Sequence, residues 1–101
     1  MRGEVLLRMG GEGHLCRLTL GTLAELEAGL SGSLIELVER FETSRFTARD
    51  ILGVLYAGLR GGGWQGRMED LGAAEIEGGA LGAARVAAEL LARAFHLPEG
   101  G

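Results

Sequence analysis

The side chains able to do chemistry are few and far apart. His14 lies beside a glycine-rich turn, and His96 closes a long C-terminal apolar segment, where the helix dipole favours a cation. Neither makes a convincing general base. A metal site needs several converging ligands, and no H-x-x-x-H, E-x-x-H or C-x-x-C spacing occurs. Cys16 is the only cysteine, so it forms no intramolecular disulfide and reads as a small buried hydrophobe. Glu25 with Glu27, and Glu36 with Glu39, lie off the leucine stripes, where solvated charge is expected rather than a hydrolytic carboxylate pair. Gly61-Gly62-Gly63 follows a helical segment rather than a strand and precedes no Gly-Lys-Ser or Gly-Lys-Thr, which makes it a helix stop rather than a phosphate loop. No catalytic residue, cofactor site or metal site is expected. Trp64, the only tryptophan, sits just past those glycines and has the form of either a core plug or an interface anchor.

The elements that would position these groups are legible in part. Glu4–Met9 and His14–Leu20 alternate around Gly10-Gly11-Glu12-Gly13, predicting a β-hairpin over about residues 4–20. Val5, Leu7, Met9, Cys16, Leu18 and Leu20 would face inward; Glu4, Arg8, Arg17 and Thr19 would face outward, with Leu6 and Leu15 breaking the pattern there. Three capping boxes then predict helix starts: Thr22 with Glu25, Ser33 with Glu36, and Thr47 with Asp50. Phe46 before the third cap and Ile51 after it have the spacing of a hydrophobic staple. Leucine-rich stripes give the first three helices one apolar face each, as for surface helices. A weaker helix is expected around Met68–Ile76. The last, about Gly79–His96 and closed by Pro98, is different in kind. Its polar residues Arg85, Glu89, Arg93 and His96 share one narrow sector, leaving about two-thirds of the circumference apolar or alanine. One stripe is Leu81, Ala84, Ala88, Leu91 and Phe95; the opposite one is Val86, Leu90, Ala94 and Leu97. Such a helix is expected at the centre of the fold, or partly exposed and awaiting a partner. The class is α+β, a single domain over 1–101 made of an N-terminal β-hairpin and four to five short helices.

Composition narrows the function classes. With 47% hydrophobic and 24% charged residues the chain is globular, and its apolar runs fall short of the roughly 20 residues a bilayer span needs. The apolar stretch after Met1-Arg2-Gly3-Glu4 is too short for a secretory signal, so a cytoplasmic location is expected. A net charge of −4, with the arginines scattered singly, argues against nucleic acid as a partner. Gly53, Gly58 and Gly82, each costing about 1 kcal/mol in a helix relative to alanine, point to self-association or partner-dependent stability as a homo-oligomer.

The order of these segments resembles the tail assembly chaperone family of gene transfer agents and related siphophage-like tail clusters. The likeness begins at Arg17-Leu18-Thr19-Leu20-Gly21-Thr22-Leu23-Ala24-Glu25-Leu26-Glu27. It continues through Arg40-Phe41-Glu42, Arg45-Phe46-Thr47 and Gly58-Leu59-Arg60-Gly61-Gly62-Gly63 to Glu77-Gly78-Gly79-Ala80, and is weakest over residues 64–72. These are packing and turn motifs, not catalytic ones. The resemblance implies a non-enzymatic role: coating the tape measure protein and helping tail-tube protein polymerise around it. The alternative it implies is a structural tail component, a connector or terminator subunit retained in the particle. Joined to the apolar excess of the last helix, that role makes Leu81, Leu91 and Phe95, together with Trp64, the candidate partner-binding residues.

Overall fold

The computed structural model describes residues 3–96 of the 101-residue chain. In chain order the elements are β1 (Val5–Met9), β2 (Glu12–Cys16), α1 (Leu20–Ala28), α2 (Leu34–Glu42), α3 (Ala48–Gly61), α4 (Met68–Ala73) and α5 (Gly79–Phe95). An N-terminal hairpin followed by five helices is the α+β, helix-dominated class that the alternation and the caps indicate. Pro98 and Leu97, expected to close the last helix and its second stripe, lie outside the described residues.

The hairpin is tighter than its sequence suggests. Met9 pairs with Glu12 and Val5 with Cys16, leaving only Gly10 and Gly11 to turn, both at positive φ (60° and 80°). Such a turn matches the twist of the flanking strands and is open mainly to glycine. The second strand therefore starts two residues earlier than expected and stops at Cys16. It stops because the Arg17 N–H turns away to donate to the Gly58 carbonyl of α3 (2.8 Å), and Thr19 then caps α1. Leu20, expected on the inner face, instead opens α1 and is 86% exposed. Val5, Leu7, Met9 and Cys16 are buried as the alternation requires, and Leu6 and Leu15 face each other on the outer side.

The Ser33–Glu36 and Thr47–Asp50 boxes form as expected, whereas α1 is capped by Thr19 and Thr22 rather than by Thr22 and Glu25. Thr19 Oγ1 accepts from the Thr22 N–H at 3.1 Å and Thr22 Oγ1 from the Thr19 N–H at 2.9 Å, so two threonines do the work of a hydroxyl and an acid. The fourth helix is shorter than expected, ending at Ala73, because residues 75–77 leave it to line the edge of β1. There Gly10 N–H donates to the Glu75 carbonyl (2.8 Å) and Glu77 N–H to the Arg8 carbonyl (3.0 Å).

The centre of the fold is α3, not α5. Val54, Leu55, Ala57, Gly58 and Leu59 are all buried, so α3 is not the one-sided surface helix its leucine stripe suggests. It packs against α1, α5, β2 and α4, while α5 packs on α3 and β1. The buried band of α5 is Ala83, Ala84, Ala87, Leu90 and Leu91, which runs between the two stripes read from the sequence and leaves Leu81 and Ala88 outside. Small residues at the crossing allow this arrangement. A Cβ on Gly58 would stand 2.7 Å from Leu90 Cδ1 and 3.2 Å from Cys16 Cβ, and Cβ atoms on Gly61 and Gly62 would run into the carbonyls of Arg17 and Leu15. The glycines at the end of α3 are thus a bed for the β2 backbone, and their propensity cost is offset by closer packing.

Candidate partner-binding surface

The four residues singled out for partner binding do not form one surface. Leu91 is 1% exposed and belongs to the core, where no partner reaches it without displacing α5. Phe95 packs partly buried against the same core. Leu81 is 64% exposed near the start of α5, about 20 Å along the helix axis from Phe95. Trp64 is half-buried: its backbone N–H donates to the Leu59 carbonyl (2.9 Å), and its ring stands edge-on to Tyr56 with centroids 6.4 Å apart. The indole also folds over Gly66, and with His14, Leu15, Gly62, Gly63 and Gln65 it lines a shallow depression beside the hairpin. Trp64 therefore serves the core with one face and borders the surface with the other. Leu15, in the same depression, continues to Leu6 across the strand pair.

Sequence reasoning missed a groove of about 560 Å³ between α1 and α3. Leu26, Leu30, Gly53, Ala57 and Tyr56 give it apolar or small walls, with Met68 at the rim. Gly53 lies against Leu26, where a Cβ would come to 3.2 Å of Leu26 Cδ1, which keeps the two helices close and the floor low. Four charged residues line it. Arg40 donates from Nε and Nη2 to the two carboxylate oxygens of Asp50 at 2.9 and 2.8 Å, and Arg60 Nε donates to Glu25 at 3.2 Å. Those pairs satisfy Arg40, Asp50 and Glu25. Arg49 has no hydrogen-bond or ion-pair partner among the described residues and is exposed. The Arg40 guanidinium holds the Asp50 carboxyl below the usual carboxylate range against the opposing effect of burial, with the Thr47 amide helping. The available signal was the spacing of Arg49, Gly53 and Ala57, one turn apart on a single line of α3.

Among the described residues no group of three or more His, Cys, Asp or Glu could hold a metal, and no helix is long and apolar enough to cross a membrane. His14 Nε2 stands 3.9 Å from Glu12 on the hairpin. Cys16 is fully buried with its thiol pushed up to about 12 by desolvation, the opposite of an activated nucleophile.

A profile of the family described as phage tail tube protein, GTA-gp10, matches residues 2–96. The chain belongs to this family. The match spans hairpin and helices alike, and it places the chain in a phage or gene transfer agent tail context. Neither the comparison with curated proteins nor that with solved structures returned a match.

Proposed function

We propose that the chain is a non-enzymatic tail assembly chaperone that binds the tape measure protein in the bacterial cytoplasm and promotes polymerisation of the tail tube around it. Family membership supplies the tail context, and the resemblance along the chain supplies the chaperone role. The observation that carries the choice is the dispersal of the exposed apolar groups. Leu6 and Leu15 lie on the hairpin, Leu20 on α1, Ile35 on α2, Met68 on α4 and Leu81 on α5. A subunit built permanently into a tube wall needs large, continuous apolar faces, with obligate interfaces of about 2,000 Å² or more. One small patch, Leu6 with Leu15, and single anchors elsewhere suit contacts that form and release.

A second reading is favoured by the family's own description, which is that of a tail tube protein: a structural subunit retained in the particle. Quantitative mass spectrometry of purified particles, with co-expression of the tape measure protein, separates the two. The chaperone reading expects co-purification with the tape measure protein and near absence from finished tails. Stoichiometric retention in tails would overturn it.

A further inference from the structure

We infer that the α1–α3 groove is the docking site for α2 of a second copy of this chain, in a head-to-tail contact. The groove calls for an apolar side chain over Gly53 and a carboxylate one turn away, facing the uncommitted Arg49. The chain itself carries that pair. Ile35 is 59% exposed on α2, and Glu39, four residues on, is exposed with no side-chain partner among the described residues. Ile35 to Glu39 and Gly53 to Arg49 are each about 6 Å along a helix. An incoming α2 antiparallel to α3 therefore sets Ile35 against Gly53 and Glu39 against Arg49 together.

The two halves of the contact lie on different sides of α2. Arg40 lines the groove of its own chain, whereas Ile35 sits about 140° away on the helical wheel and Glu39 about 100° away. One copy can thus offer the Ile35–Glu39 ridge to a neighbour while its own groove stays open for the next. Such a contact joins unlike surfaces, so it propagates as an array unless the rotation closes a ring. One aliphatic side chain and one exposed ion pair bury far less than the roughly 1,000 Å² of a stable interface, so the contact is weak alone and accumulates where copies are held side by side. This holds whether the chain is a chaperone or a tube component.

The test is sedimentation equilibrium of the full chain up to about 1 mM, with amide NMR shifts followed over the same concentrations. The expected result is a mass that rises with concentration, with the Ile35, Glu39, Arg49 and Gly53 amides shifting together. Ile35→Asp should weaken association more than about tenfold, through loss of the buried aliphatic group. Glu39→Arg or Arg49→Glu alone should weaken it about fivefold, and the two together should restore it. All three positions are exposed, and far-ultraviolet circular dichroism checks that each variant folds. A wild type that stays monomeric throughout, shifts confined to other surfaces, or a double charge reversal that fails to recover would overturn the proposal. So would a monomeric wild type whose tape measure binding is abolished by Arg49→Glu, since the groove would then belong to that partner.

Discussion

Replacing Asp50 with Asn tests how α2 is held against the core. Asp50 does two jobs: Oδ2 accepts from the Thr47 N–H (2.9 Å) to complete the α3 capping box, and both oxygens receive Arg40 from α2. Asparagine can keep the cap, but it loses the charge and one of the two acceptors. Hydrogen bonds to charged groups are worth about 1.5–3 kcal/mol each, and cutting a fully buried pair costs about 3–5 kcal/mol. Asp50 is buried but the Arg40 side chain is one-third exposed, so water takes over part of its solvation and the expected loss is about 2 kcal/mol. For a domain of this size that lowers the melting temperature by about 10 °C. The pH dependence is the sharper check. Because the folded-state pKa of Asp50 is depressed, its contribution is present above the unfolded value near 3.9 and is lost as pH falls through the folded value. Thermal and urea melts at pH 7, 5 and 3 should therefore show wild type and Asp50→Asn converging in acid. A loss under about 0.5 kcal/mol at pH 7, or a gap as wide at about pH 3 as at pH 7, would refute the argument.

Three further outcomes are expected. Cys16, buried with a thiol near 12, should resist disulfide-exchange reagents at pH 8 and react in urea with the unfolding transition; fast labelling of the native protein would contradict its burial. Gly58→Ala should destabilise by about 1–2 kcal/mol, since crowding Leu90 and Cys16 outweighs the gain in helix propensity, while Gly72→Ala on α4, with open space around it, should stabilise by up to about 1 kcal/mol in the same urea melts. Trp64→Ala should cost about 1–2 kcal/mol of stability, because the partly buried ring packs on Tyr56 and the core; an unchanged melt would assign the residue wholly to the surface.

What was legible in the sequence was local. The Ser33 and Thr47 caps form because a hydroxyl and an acid three residues apart need nothing beyond their own turn. At α1 two hydroxyls, Thr19 and Thr22, competed for the same role. Thr19 prevails because Arg17 is already tied to Gly58, forty-one positions along the chain and invisible to local spacing. The glycines of α3 misled for a similar reason. Propensity counts them as a cost, and only the β2 backbone lying across Gly61 and Gly62 shows what they permit. The alanines of α5 fit either stripe on a wheel, so its buried face could be fixed only by what it packs against. The candidate site was hidden in the same way. Arg49, Gly53 and Ala57 are a readable line on one helix, but the opposing wall comes from α1 and the rim from Met68.

The same packing bears on how this chain can meet others. A two-stranded sheet ordinarily exposes two edges to pairing. Here the outer edge of β2 lies against the glycines of α3, and the turn end of β1 is taken by residues 75–77. The turn end of β1 and the end of β2 are thus taken up within the chain. Leu6 and Leu15 stay exposed on the hairpin, and the larger opening lies between helices. One side of α3 is closed by the hairpin and α5 through Gly58, Gly61 and Gly62, while another side bears Arg49, Gly53 and Ala57 along the open groove. Glycine on the first side draws the fold together, and on the second it leaves a shallow seat beside an uncommitted cation. A helical partner carrying a carboxylate is the occupant that this division of α3 favours.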